Sequence, residues 1–336
     1  MIKLLNAKES WNQEQWDNCA EQSYYPYLSY TYNWISTIES YFPELTALPF
    51  ADVTENGLVS WICPLFFNSK KHEITGSALL APGFINKNEN PNDLMNVLLD
   101  YANQEKCRKI SIQIPPDFEY SNVLLAHGYI LKSKVCFFEL NIKNIECFET
   151  YTSKYITHDK RKNINTAKRK GVLVEMLTPS RIAVDRFYPF YLEMAETKGV
   201  IPLEKRFISA LTESLHDNSQ YWIAVVDNQD VGSALSFEFL GRMWLWLLRG
   251  SREYVEYRVD VFLYAEMIRY AFDRNLETID FGTTPLDSSL AVLKKRLGAK
   301  PVFHEHYELD LKITEVIKQC GSRLKRHVKT KYGTNK

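Results

Sequence analysis

One segment organises the chain: IDFGTTPLDSSLAVLKKRLGA, residues 279–299. Apolar residues alternate with Asp280 at its start, which is the pattern of a strand with one buried face. Gly282 permits a backbone conformation that a side chain would oppose, and the polar residues after it predict a turn. Ser288 is placed to cap a short helix whose leucines share one face. This pattern explains the leucines but gives no reason for Lys294, which lies beside them.

The length and charge of the chain limit its organisation. A chain of 336 residues is long for one domain, so two domains are expected. Its 41 basic and 41 acidic residues balance, so no overall field favours DNA or a membrane surface. Two segments are nevertheless distinctly basic, residues 154–170 and residues 312–336.

The six cysteines form no CxxC pair and no metal-ligand spacing, so they predict no metal site. Reduced thiols and the lack of a signal peptide predict a cytoplasmic protein. No apolar run approaches about 18–20 residues, so no transmembrane segment is expected. His304 and His306 lie on one face of a predicted strand and could share a metal, but no third ligand lies nearby, and hydrogen-bonding histidines are favoured.

A repeated order of elements indicates an internal duplication. In each half of the chain a helix precedes a strand, a polar turn, a short helix, a glycine and another strand. The glycines are Gly128 and Gly298, at nearly equal distances from the preceding strands. Four residues before the glycine, the first copy has Leu124 and the second has Lys294. If one copy performs chemistry, it is therefore the second.

Several familiar signatures are absent, namely GxGxxG, GxxxxGK[ST], GxSxG and HExxH. Dinucleotide binding, nucleotide hydrolysis and serine hydrolysis thereby lose their main support. Lys294 and Lys295 could simply form the solvated side of an amphipathic helix. The basic residues 160–170 could likewise be a solvated helix face, or a surface for a phosphate-rich ligand such as coenzyme A, a nucleotide-linked sugar or tRNA.

Four segments of the second half resemble the FemABX-like branch of the GNAT superfamily, in the form of BioF2-like acetyltransferase domains. They are RKNINTAKRKGVLVEM (161–176), FYPFYLEMAETKG (187–199), WLWLLRGS (244–251), and IDFGTTP with LAVLKKRLGA (279–299). The first half resembles the family more loosely, through CPLFF, GSALLAPGF and LLAHGY.

The resemblance implies an α+β fold of two GNAT-like domains, each a mixed, mostly antiparallel sheet flanked by helices. The expected divisions are a degenerate domain over residues 1–150, a transferase domain over residues 151–310 and a basic, helical tail over residues 311–336. The implied activity is an N-acyltransferase that needs no tightly bound cofactor.

The resemblance also assigns roles to single residues. Lys294 matches the lysine of the family's FK element, although Leu293 replaces the aromatic residue, and Asp280 matches the DFG-like strand end. By its position Asp280 is also the nearest candidate for a catalytic general base; the alternatives are a structural hydrogen-bond role for Asp280 and removal of the proton with the help of the substrate itself. Substrate-binding roles fall on six further residues: Lys198, Trp246, Arg249, Ser251, Gly282 and Arg161. Of these, Lys198 would contact a substrate phosphate, while Trp246 and Arg249 would flank the donor where two strands part.

One departure from the family pattern affects the donor. The usual GNAT pyrophosphate loop contains glycines, but SREYVEYRVD (251–260) contains none. Side chains obstruct the close backbone approach that holds a diphosphate, so the usual cradle for coenzyme A is not expected.

Two functions from different classes are consistent with the sequence. The first is transfer of an acyl or aminoacyl group, from acyl-CoA or aminoacyl-tRNA, to a small or nucleotide-linked amine in bacterial cell-envelope or surface-polysaccharide biosynthesis. The alternative is a non-catalytic tandem GNAT-like module that binds tRNA or a nucleotide-linked glycan.

Overall fold

The computed structural model describes residues 2–4, 13–23, 25–53, 55–56, 59–76, 91–116 and 120–311. The predicted tail, apart from Leu311, and most of the GSALLAPGF loop lie outside these residues. The chain divides into two compact units. The first comprises Met1–Tyr25, Phe42–Lys134 and His304–Lys336, and the second comprises Pro26–Tyr41 and Val135–Phe303. These units divide the chain at other positions than the predicted domains do.

The α-helices of the described residues are α1 (Gln13–Glu21), α2 (Tyr32–Tyr41), α3 (Pro91–Gln104), α4 (Ser121–Ala126), α5 (Phe148–Lys154), α6 (His158–Arg169), α7 (Arg181–Lys198), α8 (Lys205–Ser214), α9 (Val259–Asp273) and α10 (Ser289–Arg296). The strands are β1 (Ile2–Leu4), β2 (Leu45–Val53), β3 (Val59–Asn68), β4 (Glu73–Gly76), β5 (Lys109–Ile114), β6 (Ile130–Asn141), β7 (Leu173–Leu177), β8 (Ser219–Val226), β9 (Gln229–Phe239), β10 (Arg242–Gly250), β11 (Thr278–Thr283) and β12 (Lys300–Asp310).

In the first unit the strand order is β1-β2-β3-β4-β5-β12, with β4 and β5 parallel and the other pairs antiparallel. Strand β5 follows its sequence pattern, since Ile110, Ile112 and Ile114 are buried and the residues between them are half-buried. These isoleucines join Leu124 of α4 in one apolar core.

In the second unit the order is β6-β11-β10-β9-β8-β7, with β10 and β11 parallel and the other pairs antiparallel. A parallel pair needs a crossover, and α9 supplies it between β10 and β11. Most of α9 is buried in the unit's core, which explains its nearly continuous apolar sequence.

The predicted duplication is confirmed in its element order. One copy is α3, β5, α4, Gly128 and β6, and the other is α9, β11, α10, Gly298 and β12. Gly128 and Gly298 have φ values of 85° and 86°, which explains a glycine at both helix ends. In each unit the strands are mixed, mostly antiparallel and flanked by helices, which agrees with the predicted α+β class.

A segment from the first 50 residues belongs to the second unit. Residues Pro26–Tyr41 include α2, whose Trp34 is fully buried against Phe237 and Trp244. Its aromatic residues form part of a core, as the composition predicts, but the core is that of the second unit. The N-terminal sequence showed no periodicity that assigns it there.

Candidate active site

Strands β10 and β11 part within the second unit. They pair at three positions, where Arg242, Met243 and Trp244 lie opposite Thr278, Ile279 and Asp280. Beyond this point β10 continues to Gly250 and β11 to Thr283 without further pairing between them. The edge of β10 that faces the gap therefore carries backbone groups with no ladder partner on β11.

Irregularities in both strands explain the parting. On β10, the register with β9 shifts between Leu245 and Leu247, so Trp246 occupies a bulge that bends the strand. On β11, an Asp280 carboxylate oxygen accepts a hydrogen bond of 2.7 Å from the Gly282 amide. Gly282 has φ +73°, and the register with β6 shifts between Asp280 and Thr283. Together these features turn β11 away from β10.

Lys294 reaches this turn from α10. Ser288 caps the helix by accepting a hydrogen bond from the Ala291 amide, and Lys294 is 2% exposed. Its Nζ donates to the Phe281 carbonyl at 2.5 Å, and the Gly282 carbonyl is 3.2 Å away.

Nζ also donates to the Thr284 hydroxyl at 2.5 Å, and that hydroxyl donates to the Thr283 carbonyl at 2.6 Å. Since the Thr284 proton is used elsewhere, all three contacts of Lys294 require it to donate, and a neutral amine has only two N–H groups. The geometry therefore fits an ammonium group, and a substrate oxygen can bind it only by replacing one of these acceptors.

The site holds opposing charges in a desolvated setting. Burial lowers the pKa of Lys294 to about 8; Asp280 acts in the opposite direction, and Lys198 lowers the pKa further. Burial also raises the pKa of Asp280, helped by Glu139 and opposed by Arg242. Arg242 in turn donates to Glu139 at 2.9 Å.

Asp280 is fully buried, and among the described residues its Oδ2 has no hydrogen-bond partner. An unpaired oxygen on a buried carboxyl group with a raised pKa is suited to hold or accept a proton.

Two of the predicted binding residues lie at the end of the parted strands. Lys198 is the last residue of α7 and is exposed, and partial desolvation lowers its pKa with a further contribution from Arg249. Arg249 donates to Glu193 at 2.8 Å. Arg249 lowers the pKa of Lys198, and Lys198 lowers the pKa of Lys294, so the three cations share one region.

Three other predicted residues have local structural contacts. Trp246 packs against Trp34, Phe237 and Trp244, with ring centroids 5.6–6.4 Å away. Ser251 caps the short helical turn Arg252–Tyr257.

Arg161 donates to the carbonyls of Thr152, Ser153 and Ile156 at 2.8–3.2 Å, so its guanidinium group caps the end of α5. The contacts of Arg161 thus give it a structural role, and substrate binding by Arg161 stays a prediction.

The turn between β10 and α9 differs from a phosphate cradle. Arg258 precedes α9 with φ 60° and gives it no side-chain cap. Asp260, in the first turn of α9, accepts a hydrogen bond from the Gly250 amide. The absence of glycines from this turn can be read from the sequence. The hydrogen bond from the Gly250 amide to Asp260 depends on the fold and could not be predicted.

Four contributing residues were not among the predicted ones: Thr284, Glu139, Arg242 and Asp260. Thr284 lies in the predicted polar turn just before the helix of Lys294, so a contact between the two side chains could have been predicted. Glu139 and Arg242 come from separate strands, and strand order alone brings them to Asp280.

In the part of the chain that the structure describes, no cluster of three or more His, Cys, Asp or Glu side chains is arranged to bind a metal. His306 instead lies 2.7 Å from the Ser111 hydroxyl. Within the same residues no helix has the length and apolar character needed to span a bilayer.

Comparison with known proteins relates most of the second unit to a family. Residues 154–287 match the family model described as an acetyltransferase (GNAT) domain. Over these residues the chain is similar to GNAT acetyltransferases. No curated protein sequence matches the chain significantly.

Several solved structures share the fold over nearly the whole chain. A crystal structure of FemX is 15% identical, with a TM-score of 0.73, covering 94% of this chain and 99% of its own. L-PGS from Bacillus licheniformis is 13% identical, with a TM-score of 0.60 and coverages of 91% and 95%. A tandem GNAT protein from the clavulanic acid biosynthesis pathway is 11% identical, with a TM-score of 0.59 and coverages of 92% and 98%. The resemblance to FemABX-like GNAT proteins is thus confirmed in the fold.

Proposed function

We propose that this protein transfers an activated acyl or aminoacyl group to an amine of a cell-envelope or surface-polysaccharide precursor. The observation that carries the proposal is the parting of β10 and β11 beside Asp280 and Lys294. It combines an open backbone edge with two desolvated ionisable groups in a domain of acyltransferase fold. A protein that served only as a scaffold would have no need of this buried charge, which costs folding free energy.

Acyl transfer needs a polarised carbonyl and a deprotonated amine. In the proposed reaction the amine nitrogen forms a bond to the donor carbonyl carbon, and the bond from that carbon to the thiolate or alkoxide breaks. The amine proton leaves by way of a base, and the leaving group takes up a proton. Backbone N–H groups of β10 between Trp246 and Arg249 are suited to stabilise the developing oxyanion.

The two ionisable residues have separate proposed roles. The positive charge of Lys294, in low-dielectric surroundings, favours negative charge at the neighbouring carbonyl oxygen. The unpaired Oδ2 of Asp280 is the proposed proton acceptor. Lys198, exposed at the end of α7, is the proposed contact for a phosphate of a nucleotide-linked acceptor.

The cell-envelope setting rests on the structural neighbours. Besides FemX and L-PGS, they include a domain of a putative lysylphosphatidylglycerol synthetase from Agrobacterium fabrum, 12% identical with a TM-score of 0.58. The donor is proposed to be an acyl thioester or an aminoacyl ester such as aminoacyl-tRNA, and the site of action to be the cytoplasm.

A transfer assay tests the proposal. The protein is incubated with acetyl-CoA, longer acyl-CoAs, S-acetylpantetheine or aminoacyl-tRNA, each with amine-bearing UDP-sugars and peptidoglycan precursors, and products are identified by mass spectrometry. We expect at least one product whose mass has increased by the acyl group and whose formation stops in Lys294→Ala. Ligand-induced stabilisation with no product from any pair would contradict the proposal and favour a binding module.

A further inference from the structure

The end of β10 and the start of α9 form a place where an anion could bind. The first amides of a helix point out of its N-terminus, and the helix dipole favours negative charge there. In this chain the first turn of α9 itself carries an acidic residue, Asp260. The carboxylate of Asp260 accepts the hydrogen bond of the Gly250 amide, the last amide of β10.

The packing leaves little room for a second anion. A Cβ atom on Gly250 would lie 2.8 Å from the Asp260 Oδ1 and 3.0 Å from the Val259 Cβ. A Cβ atom on Gly232, which pairs with Gly250, would lie 2.6 Å from the Val259 Cγ1. The two glycines therefore let the first turn of α9 approach the sheet closely, and side chains of that turn occupy the resulting space.

The nearby cations are also engaged. Glu193 accepts a hydrogen bond of 2.8 Å from Arg249 and lies 3.6 Å from the Arg252 guanidinium group. Desolvation raises the pKa of Asp260, while the Gly250 amide and Arg249 act in the opposite direction. Two acidic side chains thus balance the two arginines that a diphosphate could otherwise use.

We propose that Asp260 is a specificity-determining residue that keeps the diphosphate of a nucleotide carrier away from the start of α9. The site accordingly recognises its acyl donor by the acyl group and the atoms next to the reactive carbonyl, without a diphosphate seated on α9. This inference rests on the proposed acyltransferase function and narrows the class of donor.

Coenzyme A and pantetheine provide a direct comparison, because pantetheine carries the same thiol arm but lacks the diphosphate and the nucleotide. Binding of each is measured by isothermal titration calorimetry to the full chain and to Asp260→Ala and Asp260→Asn. The wild type should bind coenzyme A no more tightly than pantetheine. In Asp260→Ala, which frees the Gly250 amide, coenzyme A should gain at least about tenfold over pantetheine.

The other variants separate charge from hydrogen bonding. Asp260→Asn keeps an acceptor for the Gly250 amide and removes the charge, so a smaller gain is expected. Asp273→Ala removes an acidic residue from the far end of the same helix and should change neither affinity. Melting temperatures of all variants check that each protein is folded.

Two results would overturn the inference. One is a wild-type protein that binds coenzyme A ten times or more as tightly as pantetheine. The other is an Asp260→Ala protein that is folded but gains no preference for coenzyme A. Neither result bears on whether transfer occurs, since the mass-spectrometric assay with S-acetylpantetheine and aminoacyl esters decides that separately.

Discussion

Leu124 and Lys294 occupy the same place in the two copies of one element order, and their surroundings differ. Leu124 is 1% exposed and lies in an apolar core with Ile110, Ile112 and Ile114. Lys294 is 2% exposed and donates to carbonyls of a strand that has parted from its neighbour. A buried position of this kind accepts a cation where the backbone presents acceptors, and an apolar side chain where it does not.

The largest effect is expected from making the first copy resemble the second. Leu124→Lys would bury an ammonium group among isoleucines, and we expect the free energy of unfolding to fall by about 3–5 kcal/mol. Urea denaturation measures the change. The control is Leu125→Lys, because Leu125 is 50% exposed and its replacement should cost little. Equal losses in the two variants would show that burial at position 124 does not govern the result.

The reverse change concerns activity. Lys294→Leu should leave the Phe281 and Gly282 carbonyls without their donor and lower the turnover number by about 10²–10³-fold. Steady-state transfer kinetics measure this, with melting temperature as the check on folding. Lys295→Leu, on the exposed side of the same helix, should retain activity. Normal turnover by folded Lys294→Leu would remove Lys294 from the mechanism.

Both turnover and folding stability should depend on pH through the protonation of Lys294. Because the pKa of Lys294 is lowered to about 8, turnover that needs the ammonium form should fall as the pH rises through that value. Between about 8 and the ordinary lysine value of 10.5, the unfolded chain binds this proton more strongly than the folded chain. The stability contribution of Lys294 should therefore become less unfavourable across this range, and be most unfavourable below it.

The predicted fall in turnover is measured as the rate from pH 7 to about 10.5, and the predicted change in stability by urea denaturation over the same range. Lys294→Leu, which lacks the amine, is the reference in both experiments. A wild-type rate that rises through pH 8 and stays high would indicate that the neutral amine is the active form.

The smallest expected effect is on acceptor binding. Lys198→Ala should raise the KM for a phosphate-bearing acceptor by about five- to tenfold and leave kcat nearly unchanged, because the contact is made equally before and during the reaction. Lys205→Ala, an exposed lysine at the start of α8, is the matched control. An unchanged KM would exclude a phosphate contact at Lys198.

The sequence was sufficient for features that depend on local patterns. The alternation of β5, the Ser288 cap and the glycines after α4 and α10 each follow from a few neighbouring residues. The prediction that Lys294 has a functional role followed from comparing the two copies. Its partners could not be foreseen, because carbonyls become available only where two strands part.

Other features depend on distant contacts. The hydrogen bond from the Gly250 amide to Asp260 closes a turn, and no sequence pattern in that turn predicts it. Glu139 lies beside Asp280 only because β6 pairs with β11. Arg161, at the start of a basic helix, was predicted to bind substrate from the family resemblance, and its described contacts are with carbonyls near the end of α5. Charge patterns identify cations but do not show which of them already have backbone acceptors.

The membership of residues Pro26–Tyr41 in the second unit has a practical consequence for dissecting the protein. A fragment cut at the predicted boundary, residue 151, would lose Trp34 and uncover Phe237 and Trp244. It would also lose β6, and β11 beside Asp280 would become an unpaired edge strand. The second unit therefore needs residues that precede position 151, and an inactive or aggregated fragment would say nothing about the chemistry of the intact chain.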